Sequence, residues 1–182
     1  EELGMTNAYF TELADYRDIE SLNWAKGAIA AGLTMSEVLH ALAVKSRDNA
    51  RTPVQWDASP QAGFTTGTPW LPVNANHVEI NAEAARKDPD SVFHHYRRLI
   101  ELRHTLPVVV HGDYRLLLPD DEQVFAYERR LGGTTLTVLA NLSGGPAAVP
   151  SVVGDVLLST HGRTTAPSQL AAWESLAVLS GV

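Results

Sequence analysis

The sequence predicts an α+β chain in which a helical half comes first and an antiparallel β-sandwich follows. Three observations carry that expectation. Apolar residues recur at helical spacing up to about residue 105, the pattern shifts to alternation beyond Pro107, and turn signals then separate short runs. The boundary falls near Pro107, which gives segments 1–106 and 107–182.

Residues 1–17 carry no sustained period and read as loop, with Gly4, Thr6, Asn7 and Asp15 as turn signals. From Asp18 to about Ala31, the set Ile19, Leu22, Ala25 and Ile29 marks a helix that Gly32 stops. Thr34 with Glu37 forms a capping box for a second helix, whose apolar face is Met35, Val38, Leu39, Leu42 and Ala43 and which runs to about Lys45. Prolines and glycines forbid long elements across 46–81, yet Trp56, Phe64, Trp70 and Leu71 make it a pinned loop rather than a free linker. Asp88, Asp90 and Ser91 can cap the next helix, where Val92, Phe93, Tyr96, Leu99, Ile100 and Arg103 keep the period until Pro107. Strands are expected at 108–111, 114–118, 123–130 and 134–141, with weaker candidates near 147–150, 154–159 and 175–180. Asp120-Asp121 and Gly132-Gly133 supply the turns.

Composition narrows the function. A net charge of −7 excludes a nucleic-acid footprint or a polybasic membrane patch, because both need clustered Lys and Arg. No run approaches the roughly 18 apolar residues of a membrane span. With no cysteine there is neither a disulfide framework nor a thiolate metal site, which suits a cytoplasmic enzyme. The opening Glu1-Glu2-Leu3-Gly4-Met5 lacks an initiator methionine and a domain-starting cap, so the start is expected to be a truncation.

The densest polar cluster is Ser46-Arg47-Asp48-Asn49-Ala50-Arg51-Thr52-Pro53-Val54-Gln55-Trp56-Asp57. A sugar pocket needs such groups: guanidinium forks brace carboxylates or bridge hydroxyls, and an indole stacks on a pyranose face. A buried ion-pair network that holds the loop would use the same residues, and spacing alone leaves both readings open. The adjacent His94-His95 pair points about 100° apart on a helix and cannot chelate one metal, so surface or capping roles are expected. Asp120-Asp121-Glu122 reads as a solvated turn.

SRDNARTPVQWD followed by AGFTTGTPWLPVN resembles a signature of glycoside hydrolase family 13, in the group of oligo-1,6-glucosidases, trehalose-6-phosphate hydrolases, dextran glucosidases and sucrose isomerases. The likeness extends from Glu1-Glu2-Leu3-Gly4-Met5-Thr6-Asn7 through Tyr16 to Asn23, Asp88 to Val92, Tyr96 to Arg103 and the strands at Val124–Tyr127 and Val138–Asn141, and fades after about residue 142. Val54 departs from the methionine or phenylalanine usual there. The resemblance implies that 1–106 is the end of a catalytic (β/α)8 barrel and 107–182 a C-terminal antiparallel β-domain. It implies a retaining α-glucosidase parent acting on terminal α-1,6 or α-1,4 bonds of short oligosaccharides, by a carboxylate nucleophile and a carboxyl acid/base about 5–5.5 Å apart. Those carboxylates fall on upstream strands, so no catalytic residue is expected in this chain, which alone should be inactive.

What the resemblance implies for these residues is the pocket's edge. Arg51 pairs with an acidic residue and closes the pocket on the terminal glucose, while Glu20 and Asn23 lie near the next subsite. Arg47, Asp48, Gln55 and Trp56 support the pocket, with Trp56 and Trp70 placed in the core. No cofactor and no metal are implied. The expected partners are an oligosaccharide substrate and the missing N-terminal barrel, with no nucleic acid or membrane; an apolar patch at Val92, Tyr96 and Leu99 invites an artefactual dimer. Two rivals are a sugar-binding β-domain, which needs Trp173, Tyr114 and Tyr127 on one exposed face, and a non-catalytic structural homologue like the heavy-chain ectodomains of amino-acid transporters.

Overall fold

The computed structural model describes residues 2–181; Glu1 and Val182, the outer ends of the two expected segments, lie outside the described residues. The chain forms two compact units, 1–94 and 95–182. The division falls inside a helix, ahead of the boundary expected at Pro107. Among the described residues no helix is long and apolar enough to cross a membrane.

In the first unit, α1 (Ile19–Ala30) begins at Asp18, whose side chain accepts from the Ser21 amide. It ends in a Schellman turn: Leu33 N donates to Ala28 O, Gly32 N donates to Ile29 O, and Gly32 takes φ +100°, which favours glycine. The predicted apolar stripe is only partly used. Ser21 and Ala25 are buried, whereas Ile19 and Ile29 are exposed, because the small side chains form the packing face. The capping box of α2 (Met35–Lys45) forms as the sequence predicts, and Val38, Leu42 and Ala43 are buried. Residues 2–17 hold one short 3-10 turn, Leu13–Asp15, in otherwise irregular chain. The core gathers Phe10, Tyr16, Ala25, Val38, Leu42 and Leu71, with the Phe10 and Tyr16 rings edge-on at 5.3 Å.

The loop after α2 is pinned by its backbone. Trp56 N donates to Ala62 O and Trp56 O accepts from Glu83 N, each at 2.9 Å. That anchoring corrects an expectation: Trp56 and Trp70 are 52% and 64% exposed, not core, because the loop turns Gln55 and Leu71 inward instead. The sequence reading also overlooked α3 (Ala82–Lys87), which Asn81 caps through the Ala84 amide. His94 sits half-buried beyond it with Nε2 3.1 Å from Arg86 O, at the carbonyl end of α3, in the capping role expected.

Helix α4 (Val92–Thr105) is followed by α5 (Pro107–His111), where a strand was expected at 108–111. Proline at the first helical position presets φ and lacks only an amide that would have no partner, and Val108 is buried beneath the sheet. The sheet then runs β1 (Asp113–Leu117), β2 (Val124–Leu131), β3 (Thr134–Asn141), β4 (Ala147–Ala148), β5 (Asp155–Ser159), β6 (Gln169–Leu170) and β7 (Ser175–Ser180). Five strands pair antiparallel in the order β1-β2-β3-β7-β5, and β4 pairs with β6 as a separate ribbon. Gly132-Gly133 closes the β2–β3 hairpin, with Leu131 opposite Thr134 and φ +58° at Gly132. Asp121 caps the preceding turn by accepting from the Gln123 and Val124 amides, consistent with the solvated turn expected there.

Register decides which face each residue takes. Val124, Ala126, Leu139, Leu176 and Val178 line one face, which Ala147 and Leu170 of the ribbon cover, so the core lies between two layers. Leu136 and Leu179 line the other face with Val108 of α5. Glu174 is buried and held by Arg163, whose Nη2 donates to Oε2 at 2.9 Å while Nε donates to Oε1. That pairing holds the Glu174 carboxyl below its ordinary range, against the effect of burial.

A carboxylate hub that gathers two arginines

Ser46 ends α2 and starts the next turn. Its hydroxyl accepts from the Asp48 amide at 3.2 Å, and the chain winds into a 3-10 turn, Arg47–Ala50. That turn carries Asp48 inward. Its carboxylate is fully buried, and Oδ2 accepts from the backbone amides of Arg17 at 2.6 Å and Asp18 at 2.8 Å. The start of α1 is thereby tied to the loop after α2.

Asp18 uses both of its oxygens. Oδ2 accepts from Ser21 N at 3.0 Å and Ser21 Oγ at 2.9 Å, while Oδ1 accepts from Arg47 Nη2 at 2.7 Å and Arg51 Nη1 at 3.4 Å. The Ser21 amide, with help from the Ser21 hydroxyl and Arg47, holds the Asp18 carboxyl below its ordinary range despite its burial. Arg47 Nη2 also lies 3.4 Å from Glu20 Oε2, and Arg51 Nη1 lies 3.9 Å from Asp48 Oδ1. The structure thus brings Arg47, Asp48, Arg51 and Glu20 together around Asp18.

Arg51 is anchored along one edge. Among the described residues its guanidinium makes its polar contacts through Nη1, and its side chain is 42% exposed. An arginine held in this way presents the rest of its fork to whatever approaches from solvent. Glu20, 78% exposed, lines a 510 Å³ cleft with Asp18, Ser21, Trp24, Lys45 and Arg47. Asn23 is exposed on α1, and neither it nor Arg51 lines that cleft.

Gln55 and Trp56 stand apart from the hub. Gln55 is buried and donates to Asn76 Oδ1 at 3.1 Å and to Ile80 O, which makes it a brace of the loop. Among the described residues Tyr16 Oη, Asp48 Oδ1 and Gln55 Oε1 are buried and find no hydrogen-bond partner. Burial, and then the charge of Asp48, push the Tyr16 phenol up. The sequence reading missed Asp18 as a site residue and took it only as the start of a helix. No local signal marks it, since the arginines it holds lie about thirty residues downstream. Among the described residues no group of three His, Cys, Asp or Glu is placed to hold a metal.

The β-unit offers aromatic rings but divides them. Tyr114 and Tyr127 lie 5.4 Å apart on one face, whereas Trp173 N donates to Ser143 O at 3.2 Å beyond the end of β3. Tyr114 pairs with Arg129, and Asn141 with Val124, so five residues of β2 separate the two levels, roughly 17 Å at strand rise. Tyr127 itself stands three residues from Val124, and among the described residues no ring contact joins Trp173 to either tyrosine.

Residues 1–112 match the family described as "Alpha amylase, catalytic domain", and residues 112–177 match "Domain of unknown function (DUF3459)". An oligo-1,6-glucosidase of Parageobacillus thermoglucosidasius is 51% identical over 144 residues, covering 79% of this chain and 26% of the relative. A trehalose-6-phosphate hydrolase of Bacillus subtilis is 49% identical over 148 residues, covering 81% of this chain and 26% of the relative. The crystal structure of Bacillus licheniformis trehalose-6-phosphate hydrolase superimposes with a TM-score of 0.89 at 40% identity, covering 98% of this chain and 34% of that one. These likenesses place the chain in the α-amylase class. The chain belongs to glycoside hydrolase family 13, in its oligo-1,6-glucosidase group. It spans about a quarter to a third of the length of these relatives, and its helices followed by an antiparallel sheet domain are the end of the barrel and the C-terminal β-domain of that family.

Proposed function

We propose that this chain forms one wall of the substrate pocket in a retaining α-glucosidase that hydrolyses terminal α-1,6 or α-1,4 bonds of short oligosaccharides. The observation that carries the reading is Arg51, fixed along one edge by Asp18 and half-exposed on the other. Arg51 closes the pocket on the terminal glucose, and Glu20 and Asn23 reach toward the next sugar. Arg47 and Asp48 support it as partners of the hub, Gln55 and Trp56 as anchors of the loop. The bond-breaking carboxylates belong to the parent outside these 182 residues, and the working compartment is the cytoplasm, in keeping with the absence of cysteine.

A second reading, trehalose-6-phosphate hydrolysis, is favoured by the 49% identity to the Bacillus subtilis enzyme of that name. Assays of the full-length enzyme on isomaltose and on trehalose 6-phosphate separate the two. Arg51→Ala should raise KM for the preferred substrate at least about tenfold, since a charged hydrogen bond to a neutral sugar contributes about 1.5–3 kcal/mol. An unchanged KM would remove Arg51 from the pocket. The 182-residue chain by itself should release no glucose.

A further inference from the structure

Arg51 is poorly placed to hold itself. It follows a 3-10 turn, its side chain is 42% exposed, and an exposed arginine samples many rotamers that a ligand would have to freeze. Its first carboxylate neighbour belongs to another element and is almost fully buried, with 3% of the side chain accessible. We infer that Asp18 is the positioning residue of the pocket, the carboxylate that aims Arg51 before a sugar arrives. The inference rests on the pocket reading above.

The geometry explains why an aspartate serves here. Oδ2 is consumed by the Ser21 amide and hydroxyl, so the helix cap fixes the carboxylate plane. Oδ1 is left to meet two guanidiniums, Arg47 at 2.7 Å and Arg51 at 3.4 Å. Asp48 holds the backbone amide of Asp18 itself at 2.8 Å, so the hub cannot slide along the chain. The Asp18 carboxylate faces two cations, and among the described residues its removal would leave Arg51 with Asp48 at 3.9 Å and Arg47 with Glu20 at 3.4 Å as carboxylate neighbours. Preorganisation of this kind shows as substrate affinity rather than as the rate of the chemical step.

The experiment compares Asp18→Asn, Arg51→Ala and the double variant in the full-length enzyme, reading KM and kcat for isomaltose. Asparagine retains an oxygen for the Ser21 amide and removes the charge. Asp18→Ser, which also caps well but cannot reach the arginines, serves as an independent variant if the first does not fold. The expected result is KM raised about tenfold by either Asp18 variant with kcat changed less than about threefold, and a double variant no worse than Arg51→Ala. Arg51→Ala raising KM while both Asp18 variants keep the wild-type KM, or effects that simply add, would overturn the positioning role and leave the pocket reading intact. An unchanged KM in Arg51→Ala would overturn both.

Discussion

Residues 1–94 bury Asp18, Ser46, Asp48, Gln55, Asn74 and Asn81, whereas residues 95–182 bury chiefly Val124, Ala126, Leu139, Leu170, Leu176 and Val178, with Glu174 as the one carboxylate among the described residues there. The first unit is shaped by side chains that hold backbone: Asn74 Nδ2 donates to Thr6 O and Asn7 O at 3.1 Å, Asn49 Nδ2 donates to Ala43 O at 3.0 Å, and Asp48 holds the Arg17 and Asp18 amides. The second is shaped by strand ladders and an apolar interlayer. Apolar burial supplies stability with little directional demand, while a buried polar network is costly unless every partner is in place, and in return it fixes angles. The first unit thus adds a buried polar network to its apolar core, whereas the second relies chiefly on apolar packing.

The largest effect that can break this contrast is in the sheet. Leu139→Ala opens a cavity at a fully buried position, and hydrogen exchange of the β2, β3 and β7 amides should report a loss of about 2–5 kcal/mol. A loss below about 1 kcal/mol would mean that the interlayer core is not what holds the unit. A smaller effect sharpens the other side. Thr34→Ala removes the hydroxyl that accepts from the Glu37 amide, and the α2 amides should lose about 1 kcal/mol of protection. An effect as large as that of Leu139→Ala would show α2 to depend on its cap rather than on Val38 and Leu42.

The same contrast explains what the sequence made legible. Short-range rules read α2 from its capping box, the end of α1 from Gly32, and the β2–β3 hairpin from Gly132-Gly133, because each of those signals acts within four residues. They failed at Pro107, where a run of β-branched valines reads as a strand but starts with a helix-initiating proline. They failed again at Trp56 and Trp70, because backbone hydrogen bonds hold the loop and bulk alone does not decide burial. Of the hub, Arg47, Asp48 and Arg51 were legible as a dense polar run. Asp18 was not, since what makes it a hub is a contact between segments about thirty residues apart, which no local pattern encodes.

In the proposed function Arg51 stands at the sugar with one edge fixed and one edge offered. A crystal structure of the full-length enzyme soaked with isomaltose tests it most directly. Arg51 Nη1 should still rest on Asp18, with Nε or Nη2 within about 3 Å of a sugar hydroxyl or of a carboxylate that itself touches the sugar. A guanidinium turned away to solvent in the occupied pocket would contradict it.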